Sequence, residues 1–198
     1  MQLSQNESNQ LKKTSLVSMD RVETMLQDLL DTFQVRAGKP LPIKVLYQDL
    51  KKTAQEAVTV LTTIHGSRFV LKTPDSLYSN FCKDAVLRAI ENLANNAVKY
   101  GDTRSPITIS IAEHPPQQVE ISVHNHGNPL VAEEQAKLFA PFHRAPFAKE
   151  SGKRGWGLGL TLVQGVAKAH GGSVSVDSSP ERGTTFTLLL PKEPRVNS

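Results

Sequence analysis

Arg88-Ala-Ile-Glu-Asn92-Leu-Ala-Asn-Asn96-Ala-Val-Lys99-Tyr100 is the stretch on which the reading of this 198-residue chain turns. Its setting, Asp84–Tyr100, places Val86, Leu87, Ile90, Leu93, Ala94 and Ala97 at the spacing of an amphipathic helix. Asn92, Asn96 and Lys99 follow one another by four and three residues, so they project from a single face of that helix. Such a face suits phosphate chemistry, because carboxamide oxygens hold Mg²⁺ directly or through water and lysine neutralises phosphate. The plain alternative is a solvated polar face. Against it stands asparagine, a poor helix former, at positions 92, 95 and 96.

Downstream, Gly155-Trp-Gly157-Leu-Gly159-Leu-Thr-Leu-Val leads straight into a further helix, Leu158–Ala169, ended by Gly171-Gly172. Glycines let a backbone approach a polyphosphate closely, and a helix N-terminus offers free N–H groups and the positive end of its dipole. Two common phosphate loops do not fit: there is no GxxxxGK(S/T), and Leu160 stands where the dinucleotide fingerprint needs glycine. A flexible hinge is the competing reading. Between the two helices lie Val123-His-Asn125-His-Gly127-Asn-Pro-Leu130 at a strand end and Leu138-Phe139-Ala-Pro-Phe142-His-Arg144 in a long loop. His124 and His126 share one side of the strand but lack a third candidate ligand for a metal. Phe139 and Phe142 read as anchors of a lid against the core, and Arg144 beside them can reach a terminal phosphate.

Toward the N-terminus, Leu16, Met19, Val22, Leu26, Leu29 and Phe33 form a stripe close to heptad spacing, which requires a partner helix. Ala37-Gly38 and Pro40 end it, and residues 1–14 are polar. Strands are expected at Leu41–Leu46, Arg68–Lys72, Ile107–Ala112, Val119–Val123, Ser173–Val176 and Thr184–Leu190, and a helix at Asp49–Thr62. Residues 125–156 read as a long functional loop. The main domain is thus an α/β two-layer sandwich of about five strands and three helices. The expected organisation is a helix with a polar tail over 1–38, the main domain over 39–192 and a short tail over 193–198.

Length suits one compact domain with an appended helix. Apolar runs such as Ile107–Ala112 fall far below the roughly 20 residues that cross a bilayer. The start, Met1-Gln-Leu-Ser-Gln-Asn-Glu-Ser, has no apolar signal core, so a cytoplasmic segment without membrane contact is expected. Cys82 is the sole cysteine, which excludes an intrachain disulfide and any CxxC site. The net charge is +4, but Lys12, Lys51, Lys83 and Lys168 are scattered and only Arg144–Arg154 is locally basic, so no nucleic-acid partner is expected.

These motifs in this order, followed by Arg182-Gly183-Thr184-Thr-Phe, resemble the histidine-kinase branch of the superfamily shared by gyrase, Hsp90, MutL and histidine kinases. They match its N box, G1 box, F box, G2 box and terminal Gly-Thr motif across residues 38–192. The resemblance implies a Bergerat-type ATP-binding fold with three helices on one face of a mixed sheet, ATP and Mg²⁺ as cofactors, and protein-histidine kinase activity in two-component signalling. It implies that Asn96 coordinates Mg²⁺, that Asn92 lies near the metal, and that Lys99 and Tyr100 contact the nucleotide. Asn125 would recognise the adenine amine and Gly127 make room for the base. Gly155, Gly157 and Gly159, with Leu158 and Leu160, would shape the lid over the phosphates, and Thr184 would join the nucleotide site. Arg144 matches an arginine that stabilises the transferring γ-phosphoryl group. The stripe at 16–33 is similar to the second helix of the family's dimerisation and phosphotransfer hairpin. The partners implied are a histidine-bearing helix upstream or in trans, a response-regulator receiver domain, and a second copy in a full-length homodimer.

The chain departs from that pattern in three places. Asn125 replaces the usual G1 acid, with Asn128 and Pro129 after it; a neutral acceptor is weaker by about 1 kcal/mol. Asn92 stands where hydrolysing relatives carry a water-activating Glu, and an amide cannot take a proton. Glu91 is adjacent, but one residue turns a side chain by about 100° around the helix. None of His65, His114, His124, His126, His143 or His170 has the context of a phosphoacceptor, so this chain alone is not expected to autophosphorylate. A serine kinase of the anti-sigma type and a non-catalytic nucleotide-binding module are the competing readings.

Overall fold

The computed structural model describes residues 19, 22, 26–27, 29–35, 37–135, 137–140 and 157–194. Along the chain run α1 (helical at residues 19, 22, 26–27 and 29–35), β1 (Leu46–Asp49), α2 (Leu50–His65), β2 (Phe69–Lys72), β3 (Tyr78–Phe81) and α3 (Lys83–Tyr100). Then follow β4 (Ile107–His114), β5 (Gln118–Asn125), α4 (Ala132–Gln135), α5 (Gly159–Ala169), β6 (Ser173–Ser179) and β7 (Gly183–Pro191). Five strands form a sheet in the order β2-β4-β5-β7-β6, parallel only between β2 and β4, while β1 and β3 make a separate antiparallel pair.

Alternation along the strands turns Ile107, Ile109 and Ile111 of β4, Val119, Ile121 and Val123 of β5, and Phe186, Leu188 and Leu190 of β7 to one buried face. That face carries the helices. α3 lays Val86, Ala89, Ile90, Leu93, Ala94 and Ala97 on it, flanked by α2 with Leu50, Ala54, Ala57 and Leu61 and by α5 with Leu162, Val163 and Val166. α2 starts where Asp49 Oδ1 accepts the Lys51 N–H at 3.1 Å, a side-chain cap, and also takes the Leu77 N–H at 3.2 Å. It stops at Gly66, whose φ of 84° suits a residue without Cβ.

The start of α3 is fixed from across the layer. Cys82 offers no side-chain cap; its backbone N–H donates to His170 Nε2 at 3.0 Å, while His170 Nδ1 donates to the Val166 carbonyl at 2.8 Å. A backbone N–H can only donate and a carbonyl only accept, so His170 is neutral with its proton on Nδ1. It is fully buried.

α1 docks through a polar contact. Arg88 Nη1 lies 2.7 Å from Asp31 Oδ2, and Gln27 Nε2 donates to Asp31 Oδ1 at 2.8 Å. Further along, Val35 and Leu41 close on Gly165, where a Cβ would fall 2.5 Å from Val35 Cγ2.

Three expectations need correcting. The strand at Leu41–Leu46 is instead extended chain leading to β1, because Pro42 lacks a donor and Leu41 packs on α5 rather than on a sheet. β3 went unforeseen, since Tyr-Ser-Asn-Phe is too short to show alternation, and the strands number seven in two sheets among the described residues. The long loop over 125–156 contains α4. The apolar stripe of α1 is left uncovered by the main domain, as a face meant for another helix would be: Met19, Val22, Leu26 and Phe33 are exposed and Leu29 is half-buried, while Asp31 and Thr32 are buried. Leu16 lies outside the described residues.

Burial pushes the His170 pKa below its ordinary 6.5, against the upward pull of the Val166 carbonyl. The unfolded chain therefore takes up this proton first as the pH falls. Stability is full above 6.5 and is lost as the pH drops from there toward the lower folded value. Melting temperature should accordingly decline on acidification through this window, and His170→Gln should flatten the decline while lowering stability at neutral pH. A residual slope is expected from His124, whose pKa burial, then His126 and Lys72, also lower.

Candidate functional site

At the end of β5, Asn125 is buried and pairs in register with Thr184 of β7. Its Nδ2 donates to the His126 carbonyl at 3.1 Å, which fixes the sense of the amide and turns the acceptor, Oδ1, to the opposite end. The same carbonyl takes the Asp102 N–H at 2.6 Å, and Gly101 bridges Gly127 in antiparallel fashion. Gly127, at φ 154°, is required by the approach: a Cβ there would sit 2.9 Å from the Tyr100 carbonyl oxygen. The end of α3 is thus stitched to the end of β5.

On α3, Asn92 Nδ2 donates to the Arg88 carbonyl at 2.9 Å, which leaves Oδ1 as the acceptor at the other end of the amide. Gly159, the first residue of α5, stands so close that a Cβ would fall 2.5 Å from that oxygen. The amide face of one helix therefore meets the glycine-led N-terminus of another, whose first N–H groups have no intrahelical acceptor. Asn96 lies one turn further along α3, and Lys99 and Tyr100 at its last turn; all three are half-buried. Gly157 adopts φ 70°, Leu158 precedes α5 without a side-chain cap, and Leu160 packs against the core.

Thr184 is buried, with its hydroxyl 2.7 Å from Ser178 Oγ; that oxygen also accepts the Leu130 N–H at 2.9 Å. Gln135 Nε2 donates to the Leu130 carbonyl at 2.9 Å. These bonds tie the segment after Gly127 to β6 and β7. Phe139 meets Phe186 edge to face at 6.4 Å between ring centres, anchoring the segment after α4 in the core. Arg144, Gly155 and Phe142 lie outside the described residues.

His124 Nδ1 is 2.9 Å from Thr185 Oγ1, and its ring stands edge-on to His126 at 5.0 Å. No group of three or more His, Cys, Asp or Glu suited to a metal occurs among the described residues.

Arg68, Gly101, Asp102, Ser178 and Gln135 support this region without having been foreseen. Gly101 could have been found as the glycine that directly follows the helix. The others bond mainly to backbone, which carries no sequence signal.

A one-sided α/β sandwich, with an amide-bearing helix facing a glycine-led helix start beside a strand-end acceptor, defines a nucleotide-binding class of domain. Residues 83–194 match the family described as histidine kinase-, DNA gyrase B- and HSP90-like ATPase, and the chain belongs to that family. It is 31% identical over 149 residues to the adaptive-response sensory kinase SasA of Crocosphaera subtropica, a match covering 75% of this chain and 38% of that protein. Among solved structures, the catalytic domain of histidine kinase ThkA superposes with a TM-score of 0.66 at 23% identity, covering 77% of this chain and 100% of that domain. Full-length ShkA in complex with AMPPNP gives 0.73 at 19% identity, covering 100% of this chain and 41% of ShkA. The chain spans less than half the length of SasA and of ShkA. The expected ATP-binding fold of the histidine-kinase branch therefore stands.

The glycines separate fold from site. Gly183→Ala puts a Cβ 2.5 Å from the Asn125 carbonyl oxygen at a φ of 76°. It should cost about 1–3 kcal/mol in urea unfolding. Gly159→Ala displaces only the end of the Asn92 side chain and gains helix propensity, so its stability should stay within about 1 kcal/mol of the parent.

Proposed function

We propose that this chain is the ATP-binding catalytic part of a two-component sensor histidine kinase and donates the ATP γ-phosphoryl group to a histidine on another helix, upstream or in trans. The reading rests on the apposition of the Asn92 face of α3 with the Gly159 start of α5, beside the oriented amide of Asn125 at the end of β5. In it, Asn125 Oδ1 takes the adenine amine and Gly127 makes room for the base. Gly155, Gly157, Leu158, Gly159 and Leu160 close over the phosphates, Lys99 and Tyr100 contact the nucleotide, Thr184 supports the site, and Arg144 stabilises the transferring group.

Amide oxygens are hard, neutral donors, too few by themselves for a dedicated cage. They fit Mg²⁺ that arrives on the triphosphate, with Asn96 as the protein ligand and Asn92 beside it. In the transfer, the bond from the γ-phosphorus to its bridging oxygen breaks, a bond to an imidazole nitrogen forms, and ADP leaves. Asn92 has no basic oxygen with which to activate water, which favours transfer over hydrolysis.

Residues 1–38 then belong to the dimerisation and phosphotransfer hairpin, residues 39–192 to the catalytic domain and 193–198 to a tail. The exposed Met19, Val22, Leu26, Leu30 and Phe33 support this as a helix face suited to a bundle. Partners are the histidine-bearing helix, a response-regulator receiver domain and a second copy in the full-length protein. No described helix is long and apolar enough to cross a membrane, which is compatible with a cytoplasmic site of action.

Calorimetric titration with ATP should show tighter binding with Mg²⁺ than without, and Asn96→Ala should abolish that difference. Unchanged Mg²⁺ dependence in the variant would remove the metal assignment. Radiolabelled ATP should leave this chain unlabelled alone, and should label an added histidine-bearing hairpin with acid-labile phosphate; acid-stable label would point to a serine acceptor instead.

A further inference from the structure

Arg68 stands just ahead of β2, outside every motif of the nucleotide site. Its Nη2 donates to the carbonyls of Asp102 and Ser105, at 2.5 and 3.0 Å, and so spans the turn that follows α3. Its own carbonyl accepts the Ile107 N–H at 2.8 Å, anchoring the far end of the same turn. Its Nε is buried without a hydrogen-bond partner among the described residues, an unfavourable feature for a residue serving only solubility.

Asp102 also braces the turn with its own carboxylate, accepting the Arg104 N–H at 3.1 Å and the Ser105 hydroxyl at 2.7 Å, and one bond of the turn reaches the base site. Asp102 N–H donates to the His126 carbonyl at 2.6 Å, the carbonyl that also receives Asn125 Nδ2 at 3.1 Å. An asparagine side chain has two ends of similar shape and opposite hydrogen-bonding sense. What decides which end faces the ligand is the partner of the other end. Here that partner is His126 O, which is held by the Gly101–Gly127 bridge on one side and by the Asp102 N–H of the turn that Arg68 clamps on the other.

We propose that Arg68 is a positioning residue for base selection: by clamping the Asp102–Ser105 turn it holds the His126 carbonyl against Asn125 Nδ2, and so keeps Oδ1 presented to the base. This rests on the reading that Asn125 takes the adenine amine. With the clamp gone, the amide turns over freely and offers its NH2 as readily as its oxygen. A purine with a keto group in place of the amine then binds almost as well as adenine. Arg68 thus acts on the choice of nucleotide and not only on its affinity.

The test compares Mg²⁺-ATP with Mg²⁺-ITP, which carries that keto group, by titration of the whole chain. The parent should prefer ATP by about tenfold, and Asn125→Ala should erase the preference. Arg68→Met should bring it within about twofold, and Arg68→Lys, whose ammonium ends one atom short of the guanidinium nitrogens, should fall between. Leu61→Ala, a buried change on α2, should lower melting temperature and leave the preference intact. If Asn125→Ala keeps the preference, the base-site reading fails. If Asn125→Ala erases it while Arg68→Met, or Arg68→Lys where the former does not fold, keeps it in full, Arg68 is only structural and the proposal is overturned.

Discussion

α3 cannot rotate. Val86, Ala89, Ile90 and Leu93 are wholly buried between the sheet and the flanking helices, and deleting any large one of them would open a cavity costing about 2–5 kcal/mol. The helix is pinned at its start by the Cys82 N–H bond to His170 and at its end by the Gly101–Gly127 bridge. With rotation and both ends fixed, the direction in which Asn92, Asn96 and Lys99 leave the helix is fixed as well. The polar face is therefore positioned by the apolar one, and the core does the work of preorganisation that a binding site requires.

That dependence explains what could be read from sequence. α3, α5 and the three central strands carry strict periodicity, because each must bury a continuous face, and their outlines were legible to within a few residues. The candidate site residues were legible for the opposite reason: asparagine inside a helix and clustered glycines contradict local propensity, and such contradictions stand out. What stayed hidden depends on partners without residue identity. Arg68 bonds to carbonyls of Asp102 and Ser105, and any residue would supply those. On α1 the apolar stripe was visible, but that the helix docks by Asp31 on Arg88 was not, since a buried ion pair follows from where two elements meet. Leu41–Leu46 alternates like a strand, yet only Leu46 joins one, and Leu41 finds burial against α5 without a sheet edge.

Asn125 and Asn92 share one device. Both direct Nδ2 at a nearby carbonyl, and both thereby hold an uncharged oxygen at the other end of the amide. A carboxylate would be the stronger acceptor for an amine, but in the proposed site it would also stand as a negative charge near a triphosphate. On that reading the paired amides exchange some acceptor strength for lower repulsion; their orientation is set by backbone carbonyls.

The same device makes the site sensitive to its supports. Asn92 is oriented by the Arg88 carbonyl, and the Arg88 side chain reaches Asp31 on α1 at 2.7 Å. Asp31 is itself held by Gln27, one turn back along α1. A shift of α1 would leave the Asp31 carboxylate or the Arg88 guanidinium partly buried without this partner, a state costing several kcal/mol if not relieved. The helix bearing the exposed apolar stripe and the helix bearing the amides are thus coupled by an ion pair one helical turn from Asn92. Anything that packs on that stripe acts on a helix already joined to the site.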